Sequence, residues 1–264
     1  MKRVSRFLIF LQLTLVACVN SPKESQAQYR DTDNHFIQLS ADILSDLRDN
    51  RAVDKYQNAY ANIKLDSLYA SLQSPNQKKA FWINTYNAFI QHILKQDSAL
   101  FEKRSAFFSK ARINVGGRLL SFDDIEHGIL RSSTLKLSLG YAKNPFASDF
   151  ESKFRVKKTD ERIHFVLNCG AKSCPTVGIY SAVNFDNEVD KVAKAFLHSV
   201  SDYDPEADVV NTTVLFSWFR GDFGGISGIL NTLIRYEVLP EGSEAEVNYQ
   251  EYDWTMNLDN YVED

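Results

Sequence analysis

The sequence predicts an α+β domain in which a central buried helix packs on a small, mainly antiparallel sheet. Three observations lead there. Helical and strand-like periods interleave irregularly along the 264 residues, without the strand–helix alternation of a doubly wound sheet. The stretch AFWINTYNAFIQHIL, residues 80–94, contains no Asp, Glu, Lys or Arg, so no face of that helix is built for bulk water. Short apolar runs are bounded by Gly, Ser and Pro, with Gly116–Gly117 placed for a hairpin turn.

Residues 1–34 stand apart from this domain. Lys2, Arg3 and Arg6 precede the apolar run FLIFLQLTLV, the order of a secretory signal, and the run is too short to span a bilayer. It ends in LVAC, which resembles the lipobox of bacterial lipoproteins. That resemblance implies cleavage before Cys18, lipidation of Cys18, and a cell-envelope location on the periplasmic side or the cell surface, with the membrane as partner of the anchor. Residues 19–34 are polar and aperiodic and read as a flexible tether, leaving 35–264 as a single globular domain. The formal charge of −4 and pI of 5.8 give no basic footprint, so nucleic acid is not an expected partner.

Within the domain, Phe36, Leu39, Ile43, Leu44 and Leu47 predict a helix over 35–49, and Leu65, Leu68, Tyr69 and Leu72 a second, closed by Ser74–Pro75. On the charge-free helix, Asn84, Asn87 and Gln91 fall at i, i+3 and i+7, opposite Trp82, Tyr86, Phe89 and Ile93. Buried amides need partners, so this stripe either ties down neighbouring backbone or lines a cleft. Residues 113–121 predict the hairpin. A helix over 121–131 follows, with Ser121 and Asp124 as capping box. Asp123, His127 and Arg131 stand four apart on one face of it. Residues 162–169, RIHFVLNC, read as a buried strand, 186–200 as an amphipathic helix, 209–216 as a strand, SWFRGDF as a tight turn, 226–236 as a last helix and 251–258 as a terminal strand.

The chain has three cysteines. With Cys18 lipidated, Cys169 and Cys174 remain in an oxidising setting, where they form either a disulfide or one working thiol and a bystander. Strand alternation over 162–169 would put His164 and Cys169 on opposite faces, whereas Gly170 allows Cys174 to turn back towards either histidine.

Five segments in order, FWINTYNAF, LLSFDDIEHGILR, RIHFVLNCGAKSCP, SWFRGDF and YDWTMNL, resemble the motifs of the domain of unknown function 547 family, from about residue 53 to the C-terminus. The motif positions here are Asn84, Asn87, Glu126, His127, Arg131, His164, Asn168, Cys169, Cys174, Arg220, Asp222, Asp253 and Trp254. The family name assigns no reaction, so chemistry rests on the residues. Cys174 or Cys169 as nucleophile, His127 or His164 as base and Asn84 or Asn87 as orienter or oxyanion donor would make a thiol-dependent hydrolase or acyl transferase. The alternative is a binding or structural envelope lipoprotein with a protein, peptide or glycan partner, its motif residues holding the fold. Zinc at Cys169, Cys174 and a histidine is a third reading, opposed by the loose C-x4-C spacing; no cofactor or metal is expected.

Overall fold

The two helices that pair at the centre of the fold each begin at a side chain that satisfies their first free amides. The computed structural model describes residues 33–263, so the signal segment, Cys18 and most of the tether lie outside the described residues. The Asn34 side chain accepts from Phe36 and Ile37 and opens α1, His35–Arg48. Two short helices, α2 (Asp54–Ala61) and α3 (Leu65–Ser71), lead to Ser74, which forms a capping box with Gln77 around Pro75. From there α4 runs Pro75–Gln96 and packs along α1, with residues 124–130 also against it. It is the buried centre that its composition predicts. Trp82, Asn84 and Asn87 are fully buried and Phe89 nearly so, while Ile93 is partly buried at the margin.

The remaining elements are short apart from two amphipathic helices late in the chain. They are α5 (Arg104–Ser109), the hairpin β1–β2 (Ile113–Val115, Arg118–Leu120), α6 (Asp149–Phe154) and α7 (Phe185–Val200), then β3 (Asp202–Asp204) and β4 (Val209–Thr213). The last are α8 (Leu215–Trp218), α9 (Gly225–Arg235) and β5 (Glu246–Gln250). β3 pairs antiparallel with β4, and β5 joins β4 in parallel with Val210 opposite Val247, so the larger sheet is mixed. The architecture is α+β. One core surrounds α4 and a second gathers Phe165, Phe196, Phe216, Phe223 and Leu233; Tyr252 packs against both.

Three strand expectations are corrected. Residues 162–169 are not a strand: Asp160 accepts from the Arg162 amide and starts a 3-10 turn, Glu161–Phe165, and the chain then runs on irregularly. The run is apolar because Ile163, Phe165 and Val166 are enclosed by protein, and a short enclosed run cannot be told apart from a strand by composition. The predicted terminal strand over 251–258 contributes only an isolated bridge between Met256 and Ala171, the regular strand lying just before it as β5. The strand at 209–216 stops at Thr213, whose hydroxyl accepts from the Leu215 amide as the chain turns into α8.

The amide stripe of α4 takes the place of the missing sheet. Asn84 donates to the Tyr180 carbonyl at 2.8 Å and accepts from the Tyr180 amide at 2.9 Å. Asn87 donates to the Val166 carbonyl at 2.9 Å and accepts from the Asn168 amide at 2.8 Å. Gln91 accepts from the Asp259 amide at 3.0 Å. The two asparagines each present the donor and acceptor that a neighbouring strand would have offered, so irregular backbone is buried with its polar groups paired.

Candidate functional site

Ser121 and Asp124 cap the predicted helix as expected, the Asp124 carboxylate accepting from the Ser121 amide and hydroxyl. The helix itself, Asp124–Leu130, is π-helical: Arg131 donates to the Glu126 carbonyl at 2.8 Å and Ser133 to that of Gly128 at 2.8 Å. Such i to i−5 bonding widens the turn, so side chains four apart come nearly into line, and π-helical turns recur at functional sites. Here it lines up Asp123, His127 and Arg131, the face predicted from their spacing.

Arg131 is fully buried and is the hub of a polar network. Its Nε donates to Asp222 Oδ2 at 2.6 Å and its Nη1 to His127 Nδ1 at 2.8 Å, while its guanidinium carbon lies 4.7 Å over the Phe219 ring. An arginine can only donate, so His127 Nδ1 accepts and the neutral ring carries its proton on Nε2. Burial, then the Arg131 charge, pushes the His127 pKa down to about 3. His164 stacks on Phe219, centroids 3.8 Å apart, and donates through Nε2 to Asp222 Oδ2 at 2.9 Å. Burial lowers the His164 pKa despite that carboxylate. For Asp222, burial pushes upward but is outweighed by the bonds from His164 and Arg131, which hold the carboxyl below its ordinary range. Gly140 and Gly221 let two backbones touch beside it. A Cβ on Gly140, at φ +98, would meet the Asp222 nitrogen at 2.5 Å.

The cysteines are joined as a disulfide. The predicted thiolate–imidazole pair is therefore not formed. The polar group at both sulfurs is the Tyr252 hydroxyl, 3.3 Å from Cys169 Sγ and 3.1 Å from Cys174 Sγ. Asn168 shapes the loop between them, donating to the Pro175 carbonyl and accepting from the Gly170 amide. Asp253 pairs with Lys172, its amide donates to the Ser173 hydroxyl and its carbonyl accepts from the Ser173 amide. Both therefore hold the loop in place. Arg220 reaches the Tyr249 hydroxyl at 3.5 Å.

Glu126, His127, His164, Cys169 and Trp254 come together on the wall of one cavity of about 410 Å³. Arg131 and Asp222 stand behind that wall; Asn84, Asn87, Asn168, Cys174, Arg220 and Asp253 do not line it. Sequence reasoning missed Trp218, Phe219 and Tyr252, which supply much of its apolar surface together with Tyr86 and Phe108. The signal lies in SWFRGDF and YDWTMNL, where these aromatic residues stand beside the charged ones. Leu137 and Leu139 close one side, on a loop that leaves Leu137 92% exposed. Among the described residues no group of three or more His, Cys, Asp and Glu is placed to hold a metal ion, and no helix is long and apolar enough to cross a membrane.

The family profile described as "Protein of unknown function, DUF547" matches residues 70–197. This is a shorter stretch than the motif resemblance suggests, ending before SWFRGDF and YDWTMNL. Neither a curated protein nor a solved structure matches the chain.

Proposed function

The chain belongs to the DUF547 family, and from that premise we propose that the mature protein is an envelope-anchored lipoprotein that binds a small, largely apolar ligand. One observation carries the reading: a 410 Å³ cavity walled by aromatic rings, with a few polar groups converging on one side. That size and composition are typical of small-molecule sites. Binding is favoured over thiol chemistry because the sulfurs are paired and the asparagines of the proposed triad are spent on backbone. His127 cannot serve as a base in this arrangement, since Arg131 occupies its only lone pair. What it offers the cavity is a neutral N–H donor. The thiol reading is kept as a second one on a single ground, that Cys169 lies on the cavity wall and would present sulfur there if reduced.

Native mass spectrometry of the full chain, purified from membranes, tests the binding reading. A bound mass that survives removal of detergent is expected, and Leu139→Trp, which places bulk at the cavity wall, should abolish it. Retention of the same mass by Leu139→Trp would refute the assignment. The anchor is tested separately. Cys18→Ala should be released from membranes or misprocessed, and unchanged partitioning and processing would remove the lipoprotein part of the proposal.

A further inference from the structure

The charges around the cavity do not cancel. Asp123 is neutralised by Lys136, whose Nζ lies 2.8 and 2.9 Å from its two oxygens. Asp222 is neutralised by Arg131 behind the wall. Both imidazoles are neutral at pH 7, their pKa values lowered by burial. Glu126 is left over. Its carboxylate has the Tyr86 hydroxyl at 3.4 Å and the edge of His127 at 3.6 Å, and its side chain is only 16% exposed. Arg104 lies 4.8 Å over the Trp254 ring but is not among the lining residues. Lining the same cavity as the carboxylate is a cluster of electron-rich rings, with Tyr252 centred 5.0 Å from Trp218 and 4.6 Å from Trp254.

We propose that the ligand carries a cationic group, an ammonium or quaternary ammonium, held between the Trp218–Tyr252–Trp254 cluster and the Glu126 carboxylate. This deepens the binding reading and rests on it. The argument is one of elimination by charge. A neutral apolar ligand that filled the cavity would expel water from Glu126 and strand its charge. An anion would add repulsion to that loss. A cation replaces the lost water with an opposite charge in a site of low dielectric and gains attraction from the ring faces. A methylated ammonium fits best, because its charge is spread over an apolar surface that aromatic walls can cover.

The test compares choline with its uncharged carbon isostere, 3,3-dimethylbutan-1-ol, on the full chain in neutral detergent by ligand-observed NMR. Choline should bind at least about tenfold more tightly than the isostere, a difference of about 1.4 kcal/mol. Glu126→Gln keeps shape and should erase most of that preference, and Trp218→Leu should weaken choline more than Trp218→Phe does. Equal binding of the two probes, or a choline preference that survives Glu126→Gln, overturns the cationic assignment while leaving the cavity as a binding site. Failure of both probes to bind overturns the cationic assignment, and the cavity reading then stands or falls on the mass-spectrometric result.

Discussion

Replacing Asn87 by alanine removes two hydrogen bonds that the protein cannot remake. The side chain is fully buried, and both partners are backbone groups, the Val166 carbonyl and the Asn168 amide. Each buried group left without a partner costs about 1–3 kcal/mol, so the pair costs roughly 4 kcal/mol. Set against a total stability of about 5–15 kcal/mol, that is a large share. For a domain of this size it corresponds to a fall in Tm of roughly 10 °C. Asn62→Ala is the control: it also deletes one side-chain bond to a carbonyl, but an exposed one, and should change stability by less than about 0.5 kcal/mol. Urea unfolding followed by tryptophan fluorescence measures both, since Trp82 is fully buried on the same helix. Hydrogen exchange should show lost protection concentrated in residues 166–175. A fall of less than about 2 °C for Asn87→Ala, with protection there unchanged, would refute the view that α4 amides replace a sheet.

Two further outcomes follow from the buried polar groups. His127 titrates near 3 when folded and near 6.5 when unfolded, so the unfolded chain binds the extra proton and stability falls as pH drops through that window. Between pH 6 and 4.5 this one group removes about 2 kcal/mol, and His164 acts in the same direction, whereas Asp222 begins to contribute only below about pH 4. Denaturation curves at several pH values should therefore show a slope that His127→Asn flattens, and an equal slope in the variant would contradict the burial of a neutral ring. The disulfide closes a loop with sequence separation 5, for which loss of the cross-link costs about 2 kcal/mol. Cys169→Ser/Cys174→Ser should lower stability by that amount, and alkylation of the denatured, unreduced wild type should label neither residue; a labelled Cys169 would revive the thiol reading.

Much of the helical framework was legible because helices report on themselves. The apolar spacing of α1 and α7, the absence of charge in α4 and the Ser121–Asp124 cap all act within a few residues. The strands at 162–169 and 251–258 were misread because burial alone makes a segment apolar, and pairing depends on residues distant in sequence. Val166 and Asn168 find their partners on Asn87, about eighty positions earlier, which no local pattern announces. The same limit applied to the site. Spacing put Asp123, His127 and Arg131 on one face, yet nothing in DIEHGILR states that Asp222 would meet Arg131 from ninety-one residues away. Sequence does not choose between disulfide and thiol for the cysteines, because the choice depends on where the Gly170 loop carries Cys174.

Helices supply Tyr86, Phe108 and Trp218 to the cavity wall, but its polar and sulfur-bearing part comes from irregular segments. Glu126 and His127 come from a π-helical turn, Cys169 from a disulfide loop, Tyr252 and Trp254 from a chain end without strand structure. Such segments would ordinarily be among the first to loosen, because they lack the ladders that secondary structure provides. Here the carboxamides of Asn87, Gln91 and Asn168, the disulfide and the Arg131–Asp222 pair supply those bonds from inside the core. A wall held that way is pre-organised, and a ligand need not spend its binding energy ordering it. Stability and affinity should consequently fall together in Asn87→Ala, since the residue it releases, Asn168, is the one that positions the loop carrying Cys169. A variant that unfolded more easily yet bound choline as tightly as wild type would show that the amide stripe serves the fold alone.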